Sequence, residues 1–156
     1  MTASSRPVHN PAPLPEKAQR REGPPPDLEQ APYWAATLEG RLLVQRCVPH
    51  GHTQLYARAH CIRCRGEVRW EDASGFGTVY SFTVLRQHHS RSLRHLLPLV
   101  VALIDLDEGP RIMTNLIDVD PADVRVAMRV EVYFERVSDT AALPLFTPVQ
   151  EQPTVR

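Results

Sequence analysis

Three cysteines and a neighbouring histidine are the residues of this sequence whose types and spacing could do chemistry. Cys47-Val48-Pro49-His50 and Cys61-Ile62-Arg63-Cys64 each hold two residues between a pair of soft or borderline ligands, and ten residues separate His50 from Cys61. A tight turn at each pair can bring both side chains to one tetrahedral ion, and three thiolates with one imidazole favour zinc over harder cations. Gly51, directly after the first pair, relieves the backbone where the chain must turn. The predicted ligands are therefore Cys47, His50, Cys61 and Cys64, with His52 and His60 close enough to stand in for His50. Four protein ligands leave no open position for water, so the ion would be structural. Two other readings stand beside this one. Cys-x-x-Cys can be a redox pair, although no βαβ pattern surrounds it here, and Cys47 can be a small buried residue.

The elements around these residues explain why an ion would be needed. Residues 41–70 contain all three cysteines but only short apolar pieces, Leu42-Leu43-Val44 and Leu55-Tyr56. That is too little to form a core, so the segment needs a staple. A short helix is predicted over residues 32–39. Pro32 suits a first helical turn, Trp34 and Leu38 share a face, and Gly40 can take the left-handed closing position. Beyond the cysteines, residues 78–85 alternate as a strand, with Tyr80, Phe82 and Val84 on one face. Residues 99–106 and 111–117 form a hairpin about Asp107-Glu108-Gly109-Pro110. Asp120-Pro121-Ala122-Asp123 reads as a helix start within residues 118–127, and a fourth strand follows at Val130, Val132 and Phe134. A fifth strand fits near residues 143–148. Five short strands with a small helical piece between the third and fourth suit a Greek-key OB barrel better than a seven-stranded sandwich.

Composition narrows the function. The 156 residues carry 18 basic and 18 acidic side chains, so no global positive field gathers nucleic acid. All the basic residues but Lys17 are arginines, which suit planar contacts to carboxylates and phosphates, although genome base composition produces the same bias. No apolar run is long enough to span a membrane and none resembles a secretory leader, so a cytoplasmic location is expected. Residues 1–26 hold seven prolines and almost nothing to bury, and are expected to form a disordered tail, as are residues 150–156. The expected organisation is thus tail 1–26, helix and metal ribbon 27–70, barrel 71–149 and tail 150–156.

No serine elbow, phosphate-binding glycine loop or His-Glu-x-x-His helix is present, so no catalytic residue is assigned. Asp105, Asp107, Glu108, Asp118, Asp120 and Asp123 sit at predicted strand ends and turns, where they cap rather than catalyse. Trp34, Trp70, Tyr80, Phe82 and Phe134 could stack on bases, but the core is the better place for them.

Several segments, taken in order, resemble a known family. They are Tyr33-Trp34, the run Gly40-Arg41-Leu42-Leu43-Val44-Gln45-Arg46-Cys47, Cys61-x-x-Cys64, Gly75-x-Gly77-Thr78-Val79-Tyr80-Ser81-Phe82 and Gly109-Pro110-Arg111-Ile112-Met113-Thr114-Asn115-Leu116. The family is that of the zinc-ribbon OB-fold proteins associated with thiolases and thiolase-like aldolases, including those of steroid side-chain breakdown. The resemblance covers about residues 27–149. It implies a mainly β chain: an N-terminal helix, a rubredoxin-like zinc ribbon and a five-stranded OB barrel. It also implies a non-catalytic subunit that shapes the acyl-CoA site of a thiolase-like aldolase, thiolase or acyltransferase, in some cases together with a hydratase. Zinc ligands carry over to Cys47, Cys61 and Cys64, while His50 stands where many members have cysteine. The family motifs do not account for Arg86, His88, His89, Arg91, Arg94 and His95. They lie between the first two predicted barrel strands, where they could hold coenzyme A phosphates or an acidic patch of the partner. A solvated loop is the alternative. Tyr33, Trp34 and Leu38 could form a partner-facing surface, or pack on the protein's own ribbon. A nucleic-acid-binding zinc-ribbon OB module is the runner-up reading.

Overall fold

The computed structural model describes Gly23, residues 28–89 and residues 91–149, without the side chains of Arg91 and Ser92. The expected tails at 1–26 and 150–156 therefore lie, Gly23 apart, outside the described residues.

Helix α1 (Ala31–Leu38) opens with proline in its first turn. It closes as the sequence predicts at Gly40, whose φ is +71°. Gly40 donates to the Thr37 carbonyl and Arg41 to that of Ala36, the double bond of a helix stop built on a left-handed residue. The helix turns Tyr33, Ala36 and Thr37 inward, and Thr37 Oγ1 accepts the Ala142 N–H at 3.0 Å while donating to the Trp34 carbonyl at 2.7 Å. Trp34 and Leu38 pack against the same core. The residues considered as a partner-facing surface are thus used mainly to seat α1 on the chain itself, and Tyr33 is only 6% exposed.

Three short strands follow: β1 (Leu43–Cys47), β2 (Thr53–Gln54) and β3 (Val68–Asp72), in the order β2-β1-β3 and antiparallel throughout. Then come β4 (Phe76–Leu85), β5 (Leu99–Leu106), β6 (Arg111–Leu116), β7 (Arg129–Arg136) and β8 (Ala142–Pro148), closed into a five-stranded barrel in the order β4-β5-β6-β8-β7. This is the mainly β, ribbon-then-barrel architecture expected. Ile104, Val130, Phe134 and Phe146, all with essentially no exposed surface, fill the barrel. Its closure requires Gly77, since a Cβ there would lie 2.5 Å from Ile104 Cγ2 and 2.7 Å from the Asp105 carbonyl oxygen. The seam between β6 and β8 is a single parallel pair, Leu116 with Phe146, supplemented by Thr114 Oγ1 donating to the Pro144 carbonyl at 2.6 Å.

Two expectations are corrected. Residues 118–127 form turns and not a helix. Asp120 Oδ1 accepts the Ala122 N–H at 2.8 Å, but Asp118 and Ala127 are both left-handed, at φ +54° and +68°, so no helical turn propagates. Tyr80 is half exposed rather than inward. The β4–β5 register shifts between Val79 and Ser81, and this bulge turns Tyr80 outward beneath the Arg111 guanidinium, 3.3 Å from the ring centre.

The ribbon and barrel are tied together through the β5–β6 turn. Thr53 Oγ1 donates to the Glu108 carbonyl, and Glu108 Oε1 accepts the Ser74 N–H at 2.6 Å. Among the described residues no helix is long and apolar enough to cross a membrane.

Candidate metal centre

The β1–β2 hairpin supplies the first half of the centre. Gln45 pairs with Gln54 and Arg46 with Thr53. The next rung is Cys47 opposite His52, closed by the Cys47 N–H donating to the His52 carbonyl at 2.8 Å. Between them the chain turns through Gly51, left-handed at φ +73°. Opposed residues of an antiparallel pair project to one face, so Gln45, Cys47, His52 and Gln54 share that face.

The second half is a turn in which Cys61 N–H donates to Gly66 and Arg65 N–H donates back to Cys61. The Arg63 and Cys64 N–H groups lie 3.3 and 3.5 Å from Cys61 Sγ. The two turns meet closely at Gly66: a Cβ there would lie 2.8 Å from Pro49 Cγ and 3.2 Å from Cys64 Sγ.

Cys47, Cys61 and Cys64 thus come together, their sulfurs all within 4.8 Å of one another, and Cys47 Sγ to Cys64 Sγ is 3.5 Å. Ligands bound tetrahedrally at ~2.0–2.3 Å from one zinc ion lie roughly 3.5–3.8 Å apart, so the sulfur cluster has the dimensions of that ion. Neither His50 nor His52 belongs to that cluster of mutually close ligand atoms: His50 is exposed at the hairpin tip, its ring parallel to that of His52 with 6.4 Å between centres. His60 is also exposed, and its carbonyl accepts a bond from Gln54. His52 is the histidine that meets a thiol, with Nε2 2.8 Å from Cys61 Sγ.

Burial pushes the Cys61 thiol up, but the N–H groups of Cys64 and Arg63, with the Cys64 thiol and His52, outweigh it and bring the pKa down to about 6. Burial raises that of Cys47. One thiolate in a partly dry site suits a cation.

Beneath the cluster lies a feature that the sequence reading missed. Gln45 and Gln54 are buried and joined at 2.8 Å. Gln45 exchanges two hydrogen bonds with the Arg58 backbone, at 2.9 and 3.0 Å, while Gln54 Oε1 accepts the Ile62 N–H at 3.0 Å. The hairpin is thereby bonded to the loop that carries Cys61. The signal was the symmetry of Gln45-Arg46-Cys47 and His52-Thr53-Gln54 about one turn. The basic residues Arg86, His88 and His89 lie exposed after β4, and Arg94 and His95 lie exposed on the 3-10 turn Arg91–Leu96. The side chain of Arg91 falls outside the described residues.

Comparison with known proteins accords with this architecture. The family described as "ChsH2, rubredoxin-like zinc ribbon domain" matches residues 34–71, and "ChsH2, C-terminal OB-fold domain" matches residues 70–135. A "DUF35 domain-containing scaffold protein" of Methanocaldococcus jannaschii is 33% identical over 100 residues, covering 63% of this chain and 70% of that protein. The chain belongs to the ChsH2-type DUF35 family. A "Probable enoyl-CoA hydratase alpha subunit" of Thermomonospora curvata is 31% identical over 88% of this chain, which spans about half, 46%, of that relative's length. The solved structure titled "Ltp2-ChsH2(DUF35) aldolase" superposes with a TM-score of 0.73 at 28% identity, covering 81% of this chain and 98% of that one. Three clustered cysteines in a rubredoxin-like zinc ribbon supply three of the four ligands of a structural zinc site.

Proposed function

We propose that this chain is a non-catalytic accessory subunit of a thiolase-like acyl-CoA enzyme, an aldolase, thiolase or acyltransferase, acting in a hetero-oligomer. The match to the DUF35 chain of an aldolase assembly carries the reading, because it extends over 98% of that chain, ribbon and barrel together. The packed barrel supports it: with Phe134 and Phe146 filling the interior, a ligand has to be met on the outer surface or at a shared boundary. In this reading the chain stabilises the complex and shapes the partner's acyl-CoA site, while the partner's residues perform the C–C bond chemistry. Steroid side-chain retro-aldol cleavage is the favoured setting, and a hydratase the favoured further partner. Support for the hydratase comes from relatives named as hydratase alpha subunits, one of them the "3-oxo-4,17-pregnadiene-20-carboxyl-CoA hydratase alpha subunit" of Mycobacterium tuberculosis. The exposed Arg86, His88, His89, Arg94 and His95, with Arg91, would meet coenzyme A phosphates or an acidic patch on the enzyme. Structural zinc held by Cys47, Cys61 and Cys64 would fix the ribbon that carries β1 to β3. The site would lie in the cytoplasm with its acyl-CoA pool.

The test is co-expression with the thiolase-like protein encoded nearest to its gene, followed by size-exclusion chromatography with light scattering. A defined hetero-oligomer containing zinc is the expected result. Separate elution, with salt-sensitive binding of single-stranded nucleic acid by this chain, would replace the reading with that of a nucleic-acid module.

A further inference from the structure

We infer that His52, and not His50, is the fourth protein ligand of the ribbon's metal. The inference rests on the zinc reading of the three cysteines but not on the proposed partnership.

The hairpin register carries the argument. Gln45 opposes Gln54 and Arg46 opposes Thr53, so Cys47 opposes His52, and the 2.8 Å bond between the Cys47 N–H and the His52 carbonyl closes that rung. Directly opposed side chains in an antiparallel pair lie on the same face, ~4.5–5.5 Å apart at Cβ. His52 therefore projects beside Cys47 towards the Cys61–Cys64 turn, where its Nε2 reaches to 2.8 Å from Cys61 Sγ. His52 Nε2 thus touches one sulfur of the triad, and a turn of its ring towards Cys47 and Cys64 on metal uptake would complete an S₃N set.

His50 is placed differently. It occupies the tip of the turn, ahead of left-handed Gly51, and is exposed, whereas His52 is half-buried. His50 and His52 lie with parallel rings 6.4 Å apart, so the inner ring reaches the Cys61 sulfur while the outer ring faces solvent.

The experiment loads the full chain with cobalt(II) as a spectroscopic stand-in for zinc and titrates wild type, His50→Ala, His52→Ala and His52→Cys against a competing chelator. Expected are a tetrahedral S₃N spectrum for wild type and the same spectrum and affinity for His50→Ala. His52→Ala should bind on the order of 100-fold more weakly or worse, as befits the loss of one of four ligands in a structural site. His52→Cys should restore tight uptake with greater sulfur-to-metal charge-transfer intensity. Because His52→Ala can fail to fold, wild-type chain labelled with ¹⁵N and loaded with zinc gives a second readout. Long-range ¹H–¹⁵N correlation should show metal-bound Nε2 for His52 and a free ring for His50. Weakened binding in His50→Ala with an unchanged His52→Ala, or a metal-bound His50 ring, overturns the assignment. Loss of metal uptake by wild type overturns the zinc reading itself and the assignment with it.

Discussion

Gln54→Leu is the substitution that tests whether the second cysteine turn is held by the protein as well as by metal. The Gln54 side chain is buried at 3% exposure and makes three hydrogen bonds: to Gln45 Oε1 at 2.8 Å, to the His60 carbonyl at 3.3 Å and from the Ile62 N–H at 3.0 Å. Leucine of similar size removes all three. Gln45 Oε1 keeps the Arg58 N–H at 2.9 Å, but the Ile62 N–H and His60 carbonyl lose a partner. With ~0.5–1.5 kcal/mol for each bond, and more where a partner is orphaned, the total is about 3 kcal/mol. The long His60 bond counts at the low end. Such a loss lowers the urea midpoint by roughly 1–3 M for a domain with an m-value of ~1–3 kcal/mol/M. Were the whole cost borne by ordering the ribbon, metal affinity would fall by roughly 100-fold, at ~1.4 kcal/mol per tenfold change. Urea unfolding followed by tryptophan fluorescence, with zinc and with chelator, measures the first quantity, and chelator competition the second. A midpoint shift in both conditions is expected. An unchanged midpoint in chelator would refute the idea that the glutamines hold the turn independently of metal.

Other outcomes follow from equally specific contacts. Thr37→Val leaves the buried Ala142 N–H without its acceptor and should cost about 2 kcal/mol in denaturant unfolding, whereas Thr37→Ser, which keeps the hydroxyl, should remain close to wild type. Gly66→Ala places a methyl against Pro49 and Cys64 Sγ and should weaken zinc retention in chelator competition, while Gly23→Ala, whose Cβ would meet nothing nearer than 3.6 Å, serves as the control. Glu71 accepts hydrogen bonds from Arg46 and Arg69, and these hold its carboxyl below its ordinary value near 4.5. Its contribution is therefore present above that value and lost as pH falls through the lower folded value. Acid unfolding of Glu71→Gln should lack this part of the transition, and a superimposable acid limb would count against the ion-pair account.

The barrel was legible where apolar runs met strong turn residues. Leu99–Leu106 emerges with the bounds its composition suggests because Asp107-Glu108-Gly109-Pro110 can only reverse the chain. Its partner β4 was legible as a strand but not in the orientation of all its side chains. A one-residue bulge at Val79/Ser81 leaves the alternating pattern intact in the sequence while turning Tyr80 outward. The failed helix at 118–127 shows a different limit. An Asp120 cap starts a turn, but left-handed residues at both ends, neither of them glycine, were set by the tertiary path and not by local preference. At the candidate centre the cysteines could be paired by spacing alone, because each pair sits in one local turn. The histidine facing them could be identified only once the cross-strand register was known, since register is a property of two segments together.

The edge of β6 has a consequence for how this molecule would fail. β6 meets β8 towards its C-terminal end, at the Leu116–Phe146 pair and through the Thr114 hydroxyl on Pro144, so its first residues present backbone groups to the outside of the barrel. One of them, the Met113 N–H, is covered by the Tyr56 hydroxyl at 3.1 Å, supplied by the ribbon loop. Exposed strand edges recruit other strands, and here part of the guard belongs to the ribbon, whose order the cysteine cluster shares with the Gln45–Gln54 pair. Stripping that cluster would therefore uncover a pairing edge as well as loosen a loop. Self-association by strand addition, visible as turbidity or thioflavin binding after chelation, would then accompany loss of the ribbon, and a bound partner covering β6 would suppress it.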